Sequence, residues 1–395
     1  MTALQTSQSE LLHTQLAGSQ SGEAGAEDAS QHFKPVDMDA HLRVTIDQHL
    51  HPEHGSPYWW KRQEQLGIDV RDRVRTIADL QQLGLTHPAD LASESVWDFL
   101  PRCLWNRRCN CLVGESGGTT GQPVATTFLT ANFQAAFVAP FLHAATQTDF
   151  PFGAEWLWIG PSGPHIIGKV VRQLALATNS PDPWSVDFDP RWVKKLVPES
   201  FAAKRYLAHV IDQAVDVMQR QAPEVLFTTH PVLNALAERL DDAERSRFRG
   251  VHYGGMAITS EQINRFRELY PNAVHLSGYG NSLCGVAMEI EDRPRSSIDY
   301  FPRGARLIYD VVKLHSEDSS SSKGSSWSSV QPGERGRVLF HRMDDSAFLP
   351  NMLERDEATL ILPTPAGYAN GWMLPGLRDP APPADQAITL KTGLY

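Results

Sequence analysis

Glycine and hydroxyl residues are concentrated in one short segment of the chain, positions 114 to 123. Four glycines and three serine or threonine residues occupy these ten positions, directly after the apolar pair Leu112-Val113. Glycine permits positive φ angles and a close approach of the backbone to a ligand. Successive exposed N–H groups form a concave anion site, to which hydroxyl groups add donors. The segment has the chemistry of a polyphosphate-binding loop; the alternative is an exposed hairpin or linker, in which such residues are also common.

The order of the residues in this segment is more specific than its composition. Ser-Gly-Gly-Thr-Thr-Gly-Gln-Pro, residues 116–123, resembles the phosphate-binding loop of the acyl-adenylate-forming (ANL) superfamily, which includes acyl-CoA synthetases and luciferases. The resemblance implies that the chain binds ATP, with AMP as a product or ligand. Many members carry a Lys in or just after the loop, where this chain has Gln122. The loop residues that the resemblance assigns to the nucleotide are Ser116, Gly117, Gly118, Thr119, Thr120 and Gly121.

A second segment, residues 253–261, resembles the adenine-binding segment of the same superfamily. Its glycines follow a predicted strand, where they let the backbone pack against a flat ring. Met256 occupies the position of the usual Glu, and Ser260 with Glu261 predicts the start of a helix. The alternative is an ordinary strand–turn–helix connection. The nucleotide-binding residues that the resemblance implies here are Gly254, Gly255 and Met256.

A third segment, residues 277–285, resembles the Tyr-Gly-x-Ser/Thr-Glu motif of the superfamily. The resemblance assigns Ser277, Gly278 and Tyr279 to the nucleotide, with the Tyr279 ring stacked on adenine. It assigns the Ser282 hydroxyl to the α-phosphate as a catalytic group. The Glu that holds Mg²⁺ in the family is replaced by Leu283. Because Mg²⁺ prefers oxygen ligands, we expect no metal site on the chain itself and a Mg²⁺ ion held through the phosphates.

Two more residues are candidates for the site. The run 333–340 followed by 348–350 and 354–356 resembles the superfamily segment whose terminal Asp binds both ribose hydroxyls, which makes Asp356 the match. The alternative is a solvated acid in a charged loop.

His165 follows a predicted strand and precedes a helix, and a His at a comparable point in the family lines the carboxylate site. A structural histidine is the alternative. The neighbouring run 163–170 departs from a P-loop at Val170, which cannot bind Mg²⁺.

The bulk properties restrict the function further. The chain has 395 residues, a hydrophobic content of 41% and a net charge of −10. This charge argues against non-specific nucleic-acid binding, which requires a basic surface. No apolar stretch reaches the roughly 18 residues of a membrane span. Four cysteines do not suggest a disulfide scaffold or a metal site. We therefore expect a cytoplasmic protein with no nucleic-acid or membrane partner.

Hydrophobic periodicity predicts the elements that position these residues. Residues 34–110 are predicted to be mainly helical, and after the glycine loop short apolar strands alternate with helices. This alternation predicts an α/β fold, with parallel or mixed sheets flanked by helices. The loops at Thr228, Gly254 and Gly278 should converge, because ligands bind beyond the carboxyl ends of such strands. The predicted strands are 155–160, 184–188, 225–228, 249–253, 273–276, 336–340 and 359–362, and the predicted helices 166–177, 200–220, 231–239 and 260–269.

The domain organisation follows from these patterns. We predict a disordered tail over 1–33, an α/β adenylate-forming core over 34–300, a small β-rich subdomain over 301–379 and a C-terminal tail over 380–395, with a mobile serine-rich loop at 316–329. The resemblance covers about 55–379 and is strongest to the phenylacetate-CoA ligase branch. The resemblance implies a member whose C-terminal lid domain is absent or truncated, similar to members from phenazine pathways of the griseoluteic-acid type.

The resemblance implies an atypical ligase that activates an aryl or acyl carboxylate with ATP to acyl-AMP, in the biosynthesis of a secondary metabolite such as an antibiotic. The acyl group would pass to the thiol of CoA or of a carrier protein, or to an amine, and a partner protein could supply a lid. The alternative function is an accessory protein that binds a nucleotide or acyl-AMP with little catalysis of its own.

Overall fold

The structure is a computed structural model that describes residues 37–116, 123–289, 296–315, 326–369 and 371–383. The predicted tail 1–33 and most of the glycine loop lie outside the described residues. The described α-helices are α1 (Met38–His49), α2 (Pro57–Leu66), α3 (Val70–Arg73), α4 (Thr130–Phe133), α5 (Ala139–Gln147), α6 (Ile166–Ala177), α7 (Pro190–Val193), α8 (Phe201–Arg220), α9 (His230–Ala237), α10 (Asp242–Arg245), α11 (Ser260–Leu269) and α12 (Pro365–Ala369).

Residues 37–110 are mainly helical, as predicted for 34–110. Local signals set the ends of these helices: the Asp37 carboxylate accepts a hydrogen bond from the N–H of Ala40 at the start of α1, and Gly67, at φ 64°, ends α2. The segment from Thr76 to Gly84 forms a 3₁₀-helix, Ile77–Leu83, rather than an α-helix. Further 3₁₀-helices are Pro88–Leu91, Val96–Asp98 and Arg102–Asn110, and a π-helix, Gln134–Val138, joins α4 to α5.

A two-stranded antiparallel hairpin carries the glycine loop. It consists of β1 (Cys111–Glu115) and β2 (Ala125–Leu129), with Glu115 opposite Ala125. Ser116 closes the base of the loop, because its N–H donates to the Val124 carbonyl and its Oγ accepts from the Val124 N–H, both at 2.9 Å. The sequence did not predict β2, whose residues are almost all buried.

A six-stranded sheet lies at the centre of the α/β part. The parallel strands are β3 (Trp156–Ile159), β4 (Trp184–Val186), β5 (Val225–Thr228), β6 (Gly250–Tyr253) and β7 (Val274–Asn281), and β8 (Gly285–Met288) is antiparallel to β7. The spatial order is β4-β3-β5-β6-β7-β8. All four residues of β3, β5 and β6 are buried. Burial of this kind is typical of parallel strands covered by helices on both faces.

The helices that join these strands cover both faces of the sheet. Apolar residues of α5 and α6 form one cluster with Trp156 and Trp158, and those of α8, α9 and α11 form another with Leu157 and Ile159. Helices α6 and α8 therefore lie on opposite faces, and the direction of winding changes at β3. The predicted parallel sheet and its crossover helices are confirmed.

A second six-stranded sheet is antiparallel throughout. In spatial order its strands are β11 (Ser326–Ser329), β10 (Leu307–His315), β12 (Arg335–Asp344), β13 (Ala347–Ile361), β14 (Gly376–Ala381) and β9 (Asp299–Tyr300). Residues of α1 pack on it, as Leu42 and Ile46 form a cluster with Met343 and Phe348. The indole N–H of Trp59 also donates to the Phe348 carbonyl at 2.9 Å.

In this sheet one prediction was wrong, and one predicted strand was too short. The predicted loop 316–329 includes a strand at Ser326–Ser329, where Trp327 is buried, while 316–325 lies outside the described residues. The predicted strand 359–362 is only the end of β13, which begins at Ala347. The charged run 354–357, for which a charged loop is the alternative interpretation at Asp356, continues β13 through an irregularity in its register with β12. Glu357 pairs with Arg337, and the Arg337 side chain donates to the Glu354 carbonyl at 3.0 Å. The domain boundaries remain predictions.

Candidate functional site

The carboxyl ends of the parallel strands form one edge at which the predicted site residues lie. The strand register places Ile159, Thr228, Tyr253 and Ser277 in one row across four neighbouring strands. Thr228 is buried and its hydroxyl donates to the Ile159 carbonyl at 2.7 Å, which holds β3 and β5 together at this end. The winding changes at β3, and ligands of such sheets bind at the crevice where it changes. The loops that leave this row are therefore the expected binding surface.

The loop after β3 brings His165 to the glycine-loop hairpin. His165 forms a parallel bridge with Glu115, and the Glu115 N–H donates to the Pro164 carbonyl at 2.8 Å. His165 is buried at the N-terminal end of α6. Burial, followed by the nearby guanidinium of Arg191, lowers the pKa of His165. The imidazole is therefore neutral at pH 7 beside the first residues of the loop. Gly117 to Gly121 lie outside the described residues, and their nucleotide contacts stay predictions.

The loop after β6 carries the second glycine segment. An added Cβ on Gly254 would lie 2.8 Å from the Phe227 ring, so packing inside the protein already requires glycine here. Gly255 is exposed with φ at 84°, a conformation that glycine adopts without strain. Met256 follows and is half-buried. The segment then enters α11, where Thr259 and Gln262 form a capping box, which confirms the predicted turn into a helix.

The strand β7 extends beyond the parallel row, so Gly278 lies inside the strand and not at its end as predicted. An added Cβ on Gly278 would lie 2.8 Å from Val286 on β8, which explains the glycine by close packing of the hairpin. The Ser277 side chain is buried, and its hydroxyl lies 2.6 Å from that of Tyr300. Ser277 thereby fixes β7 to the antiparallel sheet.

Tyr279 is brought to Asp356 from a position 77 residues away in the sequence. The Tyr279 hydroxyl donates to Oδ2 of Asp356 at 3.3 Å. Oδ1 of Asp356 is buried and accepts no hydrogen bond among the described residues, although the Arg355 Nε lies 3.6 Å away. Burial raises the pKa of Asp356. Asp356 is thus a buried carboxylate in strand β13, and not the solvated loop acid that was the alternative interpretation.

Glu354 lies close enough to Asp356 for the two charges to interact, at an irregularity in the register between β13 and β12. It accepts a hydrogen bond from the Asn281 side chain. Burial, followed by the charge of Asp356, raises the pKa of Glu354. Two carboxyl groups therefore face the β7–β8 hairpin, which contains Ser282 in its turn.

The β7–β8 turn is held by a network that the sequence did not reveal. The Asn281 Oδ1 accepts from the N–H groups of Leu283 and Cys284 at 2.8 and 2.9 Å. The Arg342 guanidinium, fully buried, donates to the Leu283 carbonyl at 2.9 Å. Ser282 is half-buried between these anchored residues. Leu283 is only 4% exposed and belongs to the main apolar cluster, so its side chain offers no oxygen to a metal.

Three cations near the site were also missed. Arg191, just after the start of α7, forms an ion pair with Glu115. Lys194 follows one turn later, and Arg355 on β13 completes the set. Within the described ranges, no group of three or more His, Cys, Asp or Glu side chains is arranged to hold a metal ion. The sequence signal that could have revealed them is the presence of three basic residues within 191–195, a few residues after the carboxyl end of β4.

A parallel α/β sheet with an adjoining antiparallel sheet is the architecture of the N-terminal part of adenylate-forming ligases, and the chain has this fold. One similar structure is 2-hydroxyisobutyryl-CoA ligase in the postadenylation state with R3-HIB-AMP, at a TM-score of 0.58 and 14% identity, covering 91% of this chain and 74% of that chain. The same ligase in the thioesterification state with 2-HIB-AMP and CoA gives a TM-score of 0.56 and 15% identity, over 90% and 73%. No family model and no curated protein matches the chain.

None of the helices in the described part of the chain is long and apolar enough to cross a membrane.

Proposed function

We propose that the protein is an adenylate-forming ligase that binds ATP and activates a carboxylic acid as acyl-AMP. The observation that carries the proposal is the contact between Tyr279 and Asp356. Two segments that separately resemble nucleotide-binding motifs meet at the carboxyl end of the sheet. The buried Oδ1 of Asp356 has no donor among the described residues, which is expected of an acceptor kept for ligand hydroxyl groups.

In this proposal, each group has a role that fits its place. Asp356 accepts the ribose hydroxyls, the Tyr279 ring covers the adenine, and backbone N–H groups from Ser116 to Gly121 bind the phosphates. A carboxylate oxygen of the acid attacks the α-phosphorus, and the bond to the leaving pyrophosphate breaks. The Ser282 hydroxyl donates to the α-phosphate, and His165, buried and neutral, lines the carboxylate site. Preorganised donors of this kind stabilise the charge that develops in the transition state.

The second half-reaction transfers the acyl group. A thiolate or amine attacks the acyl carbon, the bond to the phosphate oxygen breaks, and AMP leaves. We propose CoA, a carrier-protein thiol or an amine as the acceptor, and a partner protein that supplies a lid. Support for an aryl acid and for a role in phenazine-type or other secondary metabolism comes from the resemblance to the phenylacetate-CoA ligase branch. The proposal includes no Mg²⁺ ligand on this chain, because Leu283 cannot bind one; the ion that accompanies ATP would be held by phosphates and water.

A second candidate function is an accessory protein that binds a nucleotide or acyl-AMP. The observation that favours it is the burial of Leu283 at the position of the family's metal-binding Glu. A chain without this carboxylate keeps the surface for the ribose and adenine but loses one means of neutralising the transferring phosphate.

ATP–pyrophosphate exchange with a panel of aryl and short acyl acids separates the two functions. The ligase proposal expects exchange that depends on one class of acid and is lost in Asp356→Ala. Calorimetry on the same preparations measures whether the protein binds ATP and AMP, independently of exchange. Nucleotide binding without exchange for any acid would support the accessory function, and absence of both ATP and AMP binding would contradict the ligase proposal and a nucleotide-binding accessory function.

A further inference from the structure

The basic segment after β4 reaches the base of the glycine loop. Arg191 pairs with Glu115, the residue that precedes Ser116. The Arg191 Nε is buried and finds no acceptor among the described residues. The backbone of this segment is anchored, because the Asp189 carboxylate accepts from the Arg191 N–H at 2.8 Å and Val193 is buried in the main apolar cluster. The position of Arg191 beside the loop is therefore fixed by the fold.

Lys194 belongs to the same segment and interacts with the charge of Arg355 in the middle of β13. It is partly buried, and burial, followed by the charges of Arg355 and Arg191, lowers its pKa to about 8, with Asp189 acting in the opposite direction. Arg355 belongs to β13 and its Nε lies 3.6 Å from Asp356. Cations from two distant parts of the chain thus gather between the glycine loop and the proposed ribose-binding residue.

The carboxylates around these cations do not remove their mutual repulsion. Glu115 pairs with Arg191, Asp356 lies near Arg355, and Asp189 attracts Lys194. The lowered pKa of Lys194 nevertheless shows that its surroundings disfavour its positive charge in the folded chain. Groups whose pKa values are shifted by burial and neighbouring charges are concentrated at functional sites.

We propose that Arg191, Lys194 and Arg355 form a polyphosphate-binding cluster, which takes up the β- and γ-phosphates of ATP and the pyrophosphate product. The proposal rests on the proposed function and adds to it the cation that Gln122 does not supply. Guanidinium and ammonium groups are the side chains that bind phosphate oxygens most strongly. Arg191 contacts Glu115, next to the first residue of the proposed phosphate-binding loop, and Arg355 lies 3.6 Å from the carboxylate proposed to bind the ribose.

The first test compares three probes, ATP, AMP and inorganic pyrophosphate, by calorimetry on the full chain. Lys194→Gln and Arg191→Gln should each weaken ATP and pyrophosphate binding by about tenfold or more, since a hydrogen bond to a charged group contributes 1.5–3 kcal/mol and 1.4 kcal/mol corresponds to tenfold. AMP binding should change by less than about twofold. Lys195→Gln, which removes the same charge from the exposed neighbouring side chain, is the matched control.

A second test uses the Glu115–Arg191 pair. Glu115→Gln removes the partner of Arg191 and should tighten pyrophosphate binding severalfold. In the double variant with Arg191→Gln this gain should largely disappear, since coupling between contacting residues shows as non-additivity. Thermal unfolding distinguishes a ligand-binding role from a structural one: Lys194→Gln should leave the midpoint unchanged or raise it.

The outcomes separate this proposal from the proposed function. Loss of ATP and pyrophosphate binding with AMP retained supports the cluster. Equal loss of ATP and AMP binding, no change in either, or a lowered midpoint in Lys194→Gln would overturn it. If wild-type protein binds neither ATP nor AMP, the proposed function fails, and pyrophosphate still tests the cluster: binding that depends on Lys194 supports it, and absence of binding overturns it.

Discussion

The hydroxyl of Tyr279 donates a hydrogen bond of 3.3 Å to Oδ2 of Asp356 and so joins β7 of the parallel sheet to β13 of the antiparallel sheet. Oδ1 of the same carboxylate is buried and accepts no hydrogen bond from the described residues. Burial also raises the pKa of Tyr279 well above its ordinary value, so the phenol remains a donor at every physiological pH. The pair is therefore oriented with the carboxylate as acceptor.

Replacing Asp356 should affect ligand binding and stability in opposite directions. Asp356→Asn should weaken ATP and AMP equally, by at least tenfold, because each charge-assisted hydrogen bond contributes 1.5–3 kcal/mol. The folded-state pKa of Asp356 is raised, so the ionised carboxylate destabilises the ligand-free protein above its normal pKa. Asn removes that charge, and the melting temperature of the ligand-free protein at pH 7 should rise.

Tyr279→Phe is the matched control for this prediction, because it removes only the hydroxyl. It should retain the aromatic surface and lose at most a few-fold in affinity. An Asp356→Asn variant that weakens only the carboxylic acid, with nucleotide affinity intact, would contradict the assignment of Asp356 to the ribose.

Leu283 should act through packing and not through metal chemistry. It lies in the main apolar cluster and anchors the turn that carries Ser282. Leu283→Ala should lower the free energy of unfolding by about 2–5 kcal/mol, the usual cost of a cavity at a buried Leu, while Leu283→Met should cost less than about 1.5 kcal/mol. Chemical denaturation measures both. Unchanged stability in Leu283→Ala would show that the turn is held without this side chain.

Some of this site could be predicted from the sequence because its signals are local. The strands at 156–159 and 225–228 are almost entirely apolar, and the helices at 166–177 and 260–269 have clear apolar spacing. The second helix also begins with a capping box, and the positions of all four elements were confirmed almost to the residue. His165 was placed at the start of a helix from the same local pattern. The hydroxyl-rich loop was recognised from its residue order.

What could not be predicted depends on contacts between distant segments. The strand around Asp356 contains four charged residues in succession, and it is held by the pairing of Glu357 with Arg337 and by the hydrogen bond from the Arg337 side chain to the Glu354 carbonyl. In the sequence, Arg191 and Lys194 belong to a charged stretch that follows a short strand. The ion pair of Arg191 with Glu115 and the charge interaction of Lys194 with Arg355 depend on the folded structure. The glycines at 254 and 278 were attributed to a ligand, whereas the structure also requires them for packing against Phe227 and Val286.

The buried charge network under the β7–β8 turn should determine stability at low pH. Burial alone would raise the pKa of Asp344, but the guanidinium groups of Arg342 and Arg306 lower it to about 2. A carboxyl group with a lowered folded-state pKa contributes stability above its unfolded value, and this contribution is lost as the pH falls through about 4 towards 2. Unfolding free energy measured between pH 6 and 2 should fall in this window.

In Asp344→Asn, the loss in this window should be smaller, and the variant should be less stable at pH 6. Removing one partner of a buried ion pair costs about 3–5 kcal/mol. The exposed pair of Arg172 and Asp182 provides the matched control, and Asp182→Asn should change stability by less than about 1 kcal/mol. Equal losses in the two variants would argue against the network as the anchor of the turn.

Lys194 should take up a proton when a polyphosphate binds. Its pKa is lowered to about 8 in the ligand-free chain, and the groups around it are Arg355, Arg191 and Asp189. An anion beside the ammonium favours the charged form and raises the pKa, while phosphate groups, whose second pKa is about 6, are already ionised at pH 8.5. Binding of ATP at pH 8.5 should therefore draw protons from the buffer.

Calorimetry in two buffers of different ionisation enthalpy measures this proton uptake directly. It should be smaller at pH 7, where Lys194 is already protonated, and should vanish in Lys194→Gln but persist in Lys195→Gln. Uptake that is the same in wild type and Lys194→Gln would mean that another group titrates and that Lys194 does not face the phosphates.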